Sequence, residues 1–243
     1  MRSETRFDTG RARRPRWRTP RLAALVGATL VLAGLVGVAA GPATPADAGG
    51  ATATTTGQRA TFVGQVLAAT GARKVDLVGW SQGGMMPRWY LRFDGGAAYV
   101  HDLVGLAPSN HGTTVDGMNA LFDAVTALGL PAPLTLAQCL ACTQQLAGSA
   151  FLQQLNSGGD TVPRVRYTVI ETEDDEVVTP YTSAFLSGPA VTNVTLQDQC
   201  PDDHADHLAM PYDSAALQDV VNALDDAASF SVDCGLGLPV LGG

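Results

Sequence analysis

The feature that most constrains this chain is a short apolar strand running straight into small residues around a serine. Residues 75–90 read VDLVGWSQGGMMPRWY. The run KVDLVG, residues 74–79, has the β-branched and apolar content of a strand. Gly79-Trp80-Ser81-Gln82-Gly83 follows, and the next dozen residues favour a helix. A serine between a strand and a helix, in a Gly-x-Ser-x-Gly frame, sits in a sharp and strained turn. Side chains two residues to either side would collide there, and Gly79, Gly83 and Gly84 meet that need. Such a turn lifts the hydroxyl to the sheet edge. It also aims the backbone N–H of Gln82 at the place where an oxyanion would form. Ser81 is therefore the candidate nucleophile and Gln82 the candidate oxyanion donor.

The rest of the body alternates in the same way. Residues 58–70 carry Phe62, Val63, Val66 and Leu67 at helical spacing, and Gly71 stands where a helix C-terminal glycine belongs. Further strands are expected at 100–106, 166–171 and 191–196, and helices at 81–93, around Met118 to Leu128, and at 214–228. Strands alternating with helices predict an α/β domain with a mainly parallel sheet and flanking helices. In such sheets functional groups gather at the C-terminal ends of the strands.

The N-terminus is of a different kind. Eight of the 15 basic residues lie between Arg2 and Arg21, ahead of the apolar run LAALVGATLVLAGLVGVAA at 22–40 and a small-x-small site at Ala46-Asp47-Ala48. This is the layout of a secretory signal peptide over residues 1–48, with an uncleaved membrane anchor as the alternative. Residues 49–57 read as a flexible linker and 58–243 as the folded domain. From Gly49 onward 7 basic residues face 20 acidic ones. An acidic body of this kind repels nucleic acid and suits neutral or apolar substrates.

Serine needs a base and an acid to work as a nucleophile. When the serine comes first in the chain, the hydrolase order continues with acid and then histidine. His101 and His111 come before any suitable acid. His204 and His207 follow the last strand, and His207 is preferred because Leu208-Ala209-Met210 can pack its loop. The acid is expected after the third strand in ETEDDEVVTPY, at Asp175, where the acidic run turns into Val177-Val178. Cys139, Cys142, Cys200 and Cys234 allow three pairings in an oxidising compartment; Cys139 with Cys142 and Cys200 with Cys234 is the expected set. The acids around 174–206 lack the spacing of a calcium loop, and Cys139-x-x-Cys142 has no second half to hold zinc. No metal is expected.

Several segments in order, VDLVGWSQGGMMPRWYL, LVGLAPSNHGTT, CTQQLAGSAFLQQLN, YTVIETEDDEVVTPY and QDQCPDDHADHLAMPYD, resemble the class 2 secreted lipases of actinobacteria. The elbow and the Asp-Glu-Val-Val loop are also similar to fungal lipases of the lipase B type. The resemblance covers residues 58 to 234. It implies an α/β-hydrolase-like fold and cofactor-free hydrolysis of a lipid or small ester through an acyl-enzyme. It puts the nucleophile at Ser81, the acid at Asp175, the base at His207 and one oxyanion N–H at Gln82. The segment from Thr113 to Ser149 falls where such enzymes carry lid or acyl-pocket elements. Trp80, Met118, Leu121, Phe122 and Val125, with Leu128 and Leu130 beyond them, are the candidate substrate-contacting residues, with ordinary core packing the competing role.

The resemblance also implies a strand and a His-Gly turn ahead of the first helix, supplying a second oxyanion donor. Between the expected cleavage site and that helix this sequence has AGGATATTTG, and its one His-Gly pair, His111-Gly112, comes after Ser81. The sheet is thus expected to be N-terminally incomplete, with the Ser81 strand at an edge. A second chain pairing with that edge, or a contact with a lipid interface, is a further expectation. Three readings follow: a secreted serine esterase or lipase, an inactive lipase remnant, or a membrane-anchored surface binding module.

Overall fold

The structure, a computed structural model, describes residues 50–130, 136–225 and 230–240. The expected signal peptide and its apolar run lie outside these residues. No helix among the described residues is long and apolar enough to cross a membrane.

Four parallel strands form one sheet in the order β1 (Val75–Trp80), β2 (Val100–Leu106), β3 (Arg166–Glu171) and β4 (Val191–Thr195). Helix α1 (Gly50–Thr70) precedes β1, and α2 (Gln82–Phe93) connects β1 to β2. Helices α3 (Val115–Ala127), α4 (Leu140–Gln144) and α5 (Ala150–Asn156) lie between β2 and β3, and α6 (Leu196–Gln199) and α7 (Ser214–Leu224) follow β4. The strands start and stop within a residue of the positions expected from sequence. Helix α1 begins at Gly50, so the stretch 50–57 expected as linker is helical; its Ala-Thr run offers no apolar period to reveal this. Helix α7 ends at Leu224, with Asp225 beyond it; the last part of the expected span, at 226–228, lies outside the described residues.

Period-two alternation divides the apolar side chains between two faces. Leu77, Leu103, Tyr167 and Val169 pack with Val63 of α1 and Tyr90 and Leu91 of α2. Val104, Leu106 and Ile170 face the other way, with Val78 and Trp80 beside them, and pack with Ala216 and Val220 of α7. A third cluster joins Met85, Met86 and Trp89 of α2 to Phe151, Leu152 and Leu155 of α5. The register is continuous through the middle of the sheet: Gly79 lies beside Gly105, and Gly105 beside Val169. Among the described residues β1 pairs only with β2, which makes it an edge strand.

The two ends of the sheet differ. At the strand starts, both oxygens of Asp102 pair with the Arg166 guanidinium at 2.5 and 2.6 Å, and His101 Nδ1 lies 2.9 Å from Asp102 Oδ2. Asp76, His101 and Asp102 are close enough to one another to share an ion, but both oxygens of Asp102 are already taken up by Arg166. His101 is thus a half-exposed partner of this ion-pair group. The opposite end, where the strands finish, holds Ser81, Asp175 and His207.

Two disulfides are present, Cys139–Cys142 and Cys200–Cys234, the expected pairing. They close loops of very different length, with sequence separations of 3 and 34. On chain entropy alone the longer crosslink contributes about 4 kcal/mol and the shorter about 1.5 kcal/mol. Chemical denaturation of the two double-alanine variants should reproduce that ranking, with Cys200→Ala/Cys234→Ala losing at least about 2 kcal/mol more.

Candidate active site

Ser81 occupies the turn between β1 and α2 at φ 54° and ψ −129°, backbone that a non-glycine residue adopts only under constraint. The constraint is visible on both sides. The Ser81 N–H donates to Leu106 O at 2.8 Å, extending the sheet ladder by one residue. Its carbonyl accepts from Gly84 N at 2.9 Å and Met85 N at 3.3 Å, opening the helix. A Cβ on Gly79 would fall well inside contact distance of the Gly83 carbonyl. One on Gly84 would meet Pro108 Cβ at 2.9 Å and Gly105 Cα at 3.1 Å. Gly83 differs from the expectation: a Cβ there meets nothing within 4 Å. The crowding at this corner is between the Gly79 Cα and the Gly83 backbone, so only the first of the two must lack a side chain. Pro87 lies inside α2. Having no N–H, it leaves the Gly83 carbonyl without its helical donor.

Gln82 is the first residue of α2, where backbone N–H groups have no partner within the helix. Its N–H therefore faces outward at the positive end of the helix dipole, beside Ser81.

Asp175 stands four residues beyond β3. Its Oδ1 accepts from Val177 N at 2.8 Å and Val178 N at 2.6 Å. Both valines are buried, and Val178 belongs to the core between the sheet and α1–α2. The Asp-Glu-Val-Val order thus folds as an aspartate turn pinned by its apolar end. Thr113 fastens the same segment, donating its hydroxyl to Val177 O and accepting from Thr179 N at 3.0 Å.

His207 follows β4 on a loop held by Cys200–Cys234 and by burial of Leu208, Ala209 and Met210. Its Nδ1 lies 2.8 Å from Asp175 Oδ2, and both side chains are wholly buried. The Trp80 indole donates to His207 O at 2.9 Å, and its ring lies 5.3 Å from the imidazole, centroid to centroid. The His207 N–H donates to Glu176 Oε2 at 3.1 Å. Burial works against the charged imidazole. The charge and hydrogen bond of Asp175, with Glu176 and Asp206 behind them, outweigh it and raise the His207 pKa above its ordinary value. Nε2 of His207 is buried and has no hydrogen-bond partner, so no bond yet joins it to Ser81.

The other histidines are engaged elsewhere. His204 is exposed and pairs with Asp174 at 3.0 Å. His111 bridges Ser183 O and Asp160. Of the candidate substrate contacts, Trp80 is committed to His207. Met118 is fully buried, while Leu121, Phe122 and Val125 are half-buried and Leu128 is exposed. Helix α3 is thus neither plain core nor plain surface. Two further acids of the same segment lie beside the pair: Glu176, bonded to the His207 backbone, and Glu171, fully buried at the end of β3. Glu171 is in phase with Tyr167 and Val169, and that inward phase was the available signal.

A parallel sheet flanked by helices, a strained serine between strand and helix, and a buried acid–histidine pair past the later strands define an α/β-hydrolase-like fold. Comparison narrows this. The family model Lipase (class 2) matches residues 52–219, and the chain belongs to that family. Aspergillus fumigatus lipase B superposes with a TM-score of 0.59 at 23% identity, covering 79% of this chain and 48% of that one. Bacillus licheniformis lipase BlEst2 in its mature form aligns at 16% identity with a TM-score of 0.44, covering 59% and 65%. The chain thus spans about half the length of the Aspergillus lipase. No curated protein matches it.

The steric account separates the three glycines. Gly79→Ala and Gly84→Ala should each destabilise by about 1–3 kcal/mol or more, since backbone has to shift. Gly83→Ala, in the first turn of α2 with open space around it, should be neutral or stabilise by up to about 1 kcal/mol. Thermal melts of the three variants check this.

Proposed function

We propose that this chain is a secreted carboxylic-ester hydrolase of the lipase type, acting on a lipid or small ester without a cofactor. Ser81 is the nucleophile, His207 the general base and Asp175 the acid that orients it. The observation that carries the reading is the dry 2.8 Å contact between His207 Nδ1 and Asp175 Oδ2, set against the residue next to Ser81 in the chain. With Nδ1–H fixed on Asp175, the imidazole presents Nε2 as its basic atom. In the first step Ser81 Oγ attacks the ester carbonyl carbon while Nε2 takes the hydroxyl proton. The tetrahedral oxyanion meets the Gln82 N–H. Collapse expels the alkoxide, which takes the proton from His207 and leaves as alcohol. Water, activated by the same Nε2, then cleaves the acyl-serine and restores both residues. Ser81 and His207 carry no mutual hydrogen bond here; such bonds often form only when substrate arrives.

A second reading, an inactive lipase relative, is favoured by one observation. β1 is an edge strand among the described residues, and the oxyanion donor assigned to this site is a single N–H. One lost donor reduces rate by about 10²–10³. A partner strand on that edge, from a second copy or another chain, would supply cover and is part of the proposal. The disulfides and the lack of a membrane-crossing helix among the described residues are compatible with secretion.

The test is fluorophosphonate labelling of the protein followed by intact mass. One adduct, absent in Ser81→Ala and strongly slowed in His207→Ala, is expected. A folded protein that takes no label would favour the inactive reading. The pH dependence is fixed in sign. His207 acts as base only when neutral, and its pKa is raised, so labelling and kcat/KM should climb with pH through a limb above about 6.5. Asp175→Asn, which supports the wrong tautomer, should cost about 10⁴ in kcat.

A further inference from the structure

Glu171 ends β3 with its side chain fully buried. Its Oε1 accepts from Thr172 N at 2.9 Å, while Oε2 receives no hydrogen bond from any donor. The carboxyl lies within hydrogen-bonding reach of Asp175. An acceptor facing an acceptor in a dry site is untenable when both are ionised. One proton between them removes the conflict, and the donors decide where it rests. Asp175 accepts from Val177 N, Val178 N and His207, three donors that hold it as the carboxylate. Glu171 has the single Thr172 N–H. Asp175 Oδ2 also retains a lone pair beyond the one given to His207.

We propose that Glu171 is a positioning residue, a neutral carboxylic acid whose O–H donates to the Asp175 carboxylate and fixes it for His207. This rests on the triad reading above. Burial, and then the charge of Asp175, push the Glu171 carboxyl well above the ordinary range, in keeping with it. Among the described residues no hydroxyl or N–H is bonded to Oε2. The neighbouring strand ends bring Leu106 and Ala107 on one side and Thr195 and Leu196 on the other. Across the Asp175 loop lie His207, Glu176 and Asp206, which act on the imidazole. Helix α7 carries Asp219, held by Gln199. The donated bond keeps the Asp175 carboxylate from turning away from the imidazole.

Two variants test it with two readouts. Glu171→Gln keeps a donor and cannot ionise; Glu171→Leu keeps the volume and has no donor. In the wild type the folded state holds a proton that the unfolded chain releases above about pH 4.3, so its stability falls as pH rises between the two pKa values. The Tm of Glu171→Gln minus that of wild type should therefore grow from pH 5 to pH 8. At pH 7 fluorophosphonate labelling of Ser81 should slow by about threefold or less in Glu171→Gln and by more than about tenfold in Glu171→Leu. A Tm difference that stays flat with pH overturns the proposal, as does equal loss of labelling in both variants. A wild-type protein that takes no label defeats the ester-hydrolase reading instead, and the melts then decide the shared proton alone.

Discussion

The site is organised around the desolvated carboxylate of Asp175. An ion buried to this degree costs several kcal/mol unless its lone pairs are met. Val177 N, Val178 N and His207 Nδ1 meet three of them. That requirement joins parts of the chain that share no secondary structure. It holds the loop after β3 against the loop after β4, 32 residues apart in sequence. It also explains why the acidic run passes directly into two buried valines. Their side chains anchor the turn, and their N–H groups satisfy the carboxylate. The same contact sets the imidazole tautomer, so folding and the proposed chemistry depend on one hydrogen-bonded pair.

The serine side is built by sterics instead. Ser81 keeps its positive φ because the strand ladder holds its N–H and the helix holds its carbonyl. Close approach of Gly79 to the Gly83 backbone leaves the turn little other geometry. Strain of this kind, of order 1–3 kcal/mol, survives only where neighbouring structure fixes it. Here the sheet and α2 share a common core of Leu77, Tyr90 and Leu91. Trp80 then ties the two halves of the site together, since its indole bonds the His207 carbonyl while its neighbour carries the hydroxyl.

Much of this was legible in the sequence, and for identifiable reasons. Strand limits follow from β-branched runs ended by small residues, so β2 and β3 were read to the residue. The elbow followed from its glycines, although Gly83 proved to stand in open space. His207 was separable from His204 by the apolar residues after it, and the structure places His204 on the surface with Asp174. The rest depended on contacts that no local pattern encodes. An Ala-Thr stretch carries no amphipathic period, so the first turns of α1 were read as linker. Glu171 sits in a charge run that reads as solvated, and only its inward phase on β3 distinguishes it. The Trp80–His207 hydrogen bond joins residues far apart in the chain, and no local pattern announces it.

The atom still without a partner is the one the proposed chemistry needs. His207 Nε2 is buried and unbonded, and a buried polar atom left so costs about 1–3 kcal/mol. Nδ1 is held by Asp175 and the backbone N–H by Glu176, so the ring cannot turn to seek another donor without breaking the dry pair. Ser81 stands next in the chain to the tryptophan that packs on that ring. In the proposed reaction the Ser81 hydroxyl would meet that nitrogen. Burial of the acid fixes the imidazole, the fixed imidazole leaves one atom unsatisfied, and that atom is the one the proposed reaction would use as its base.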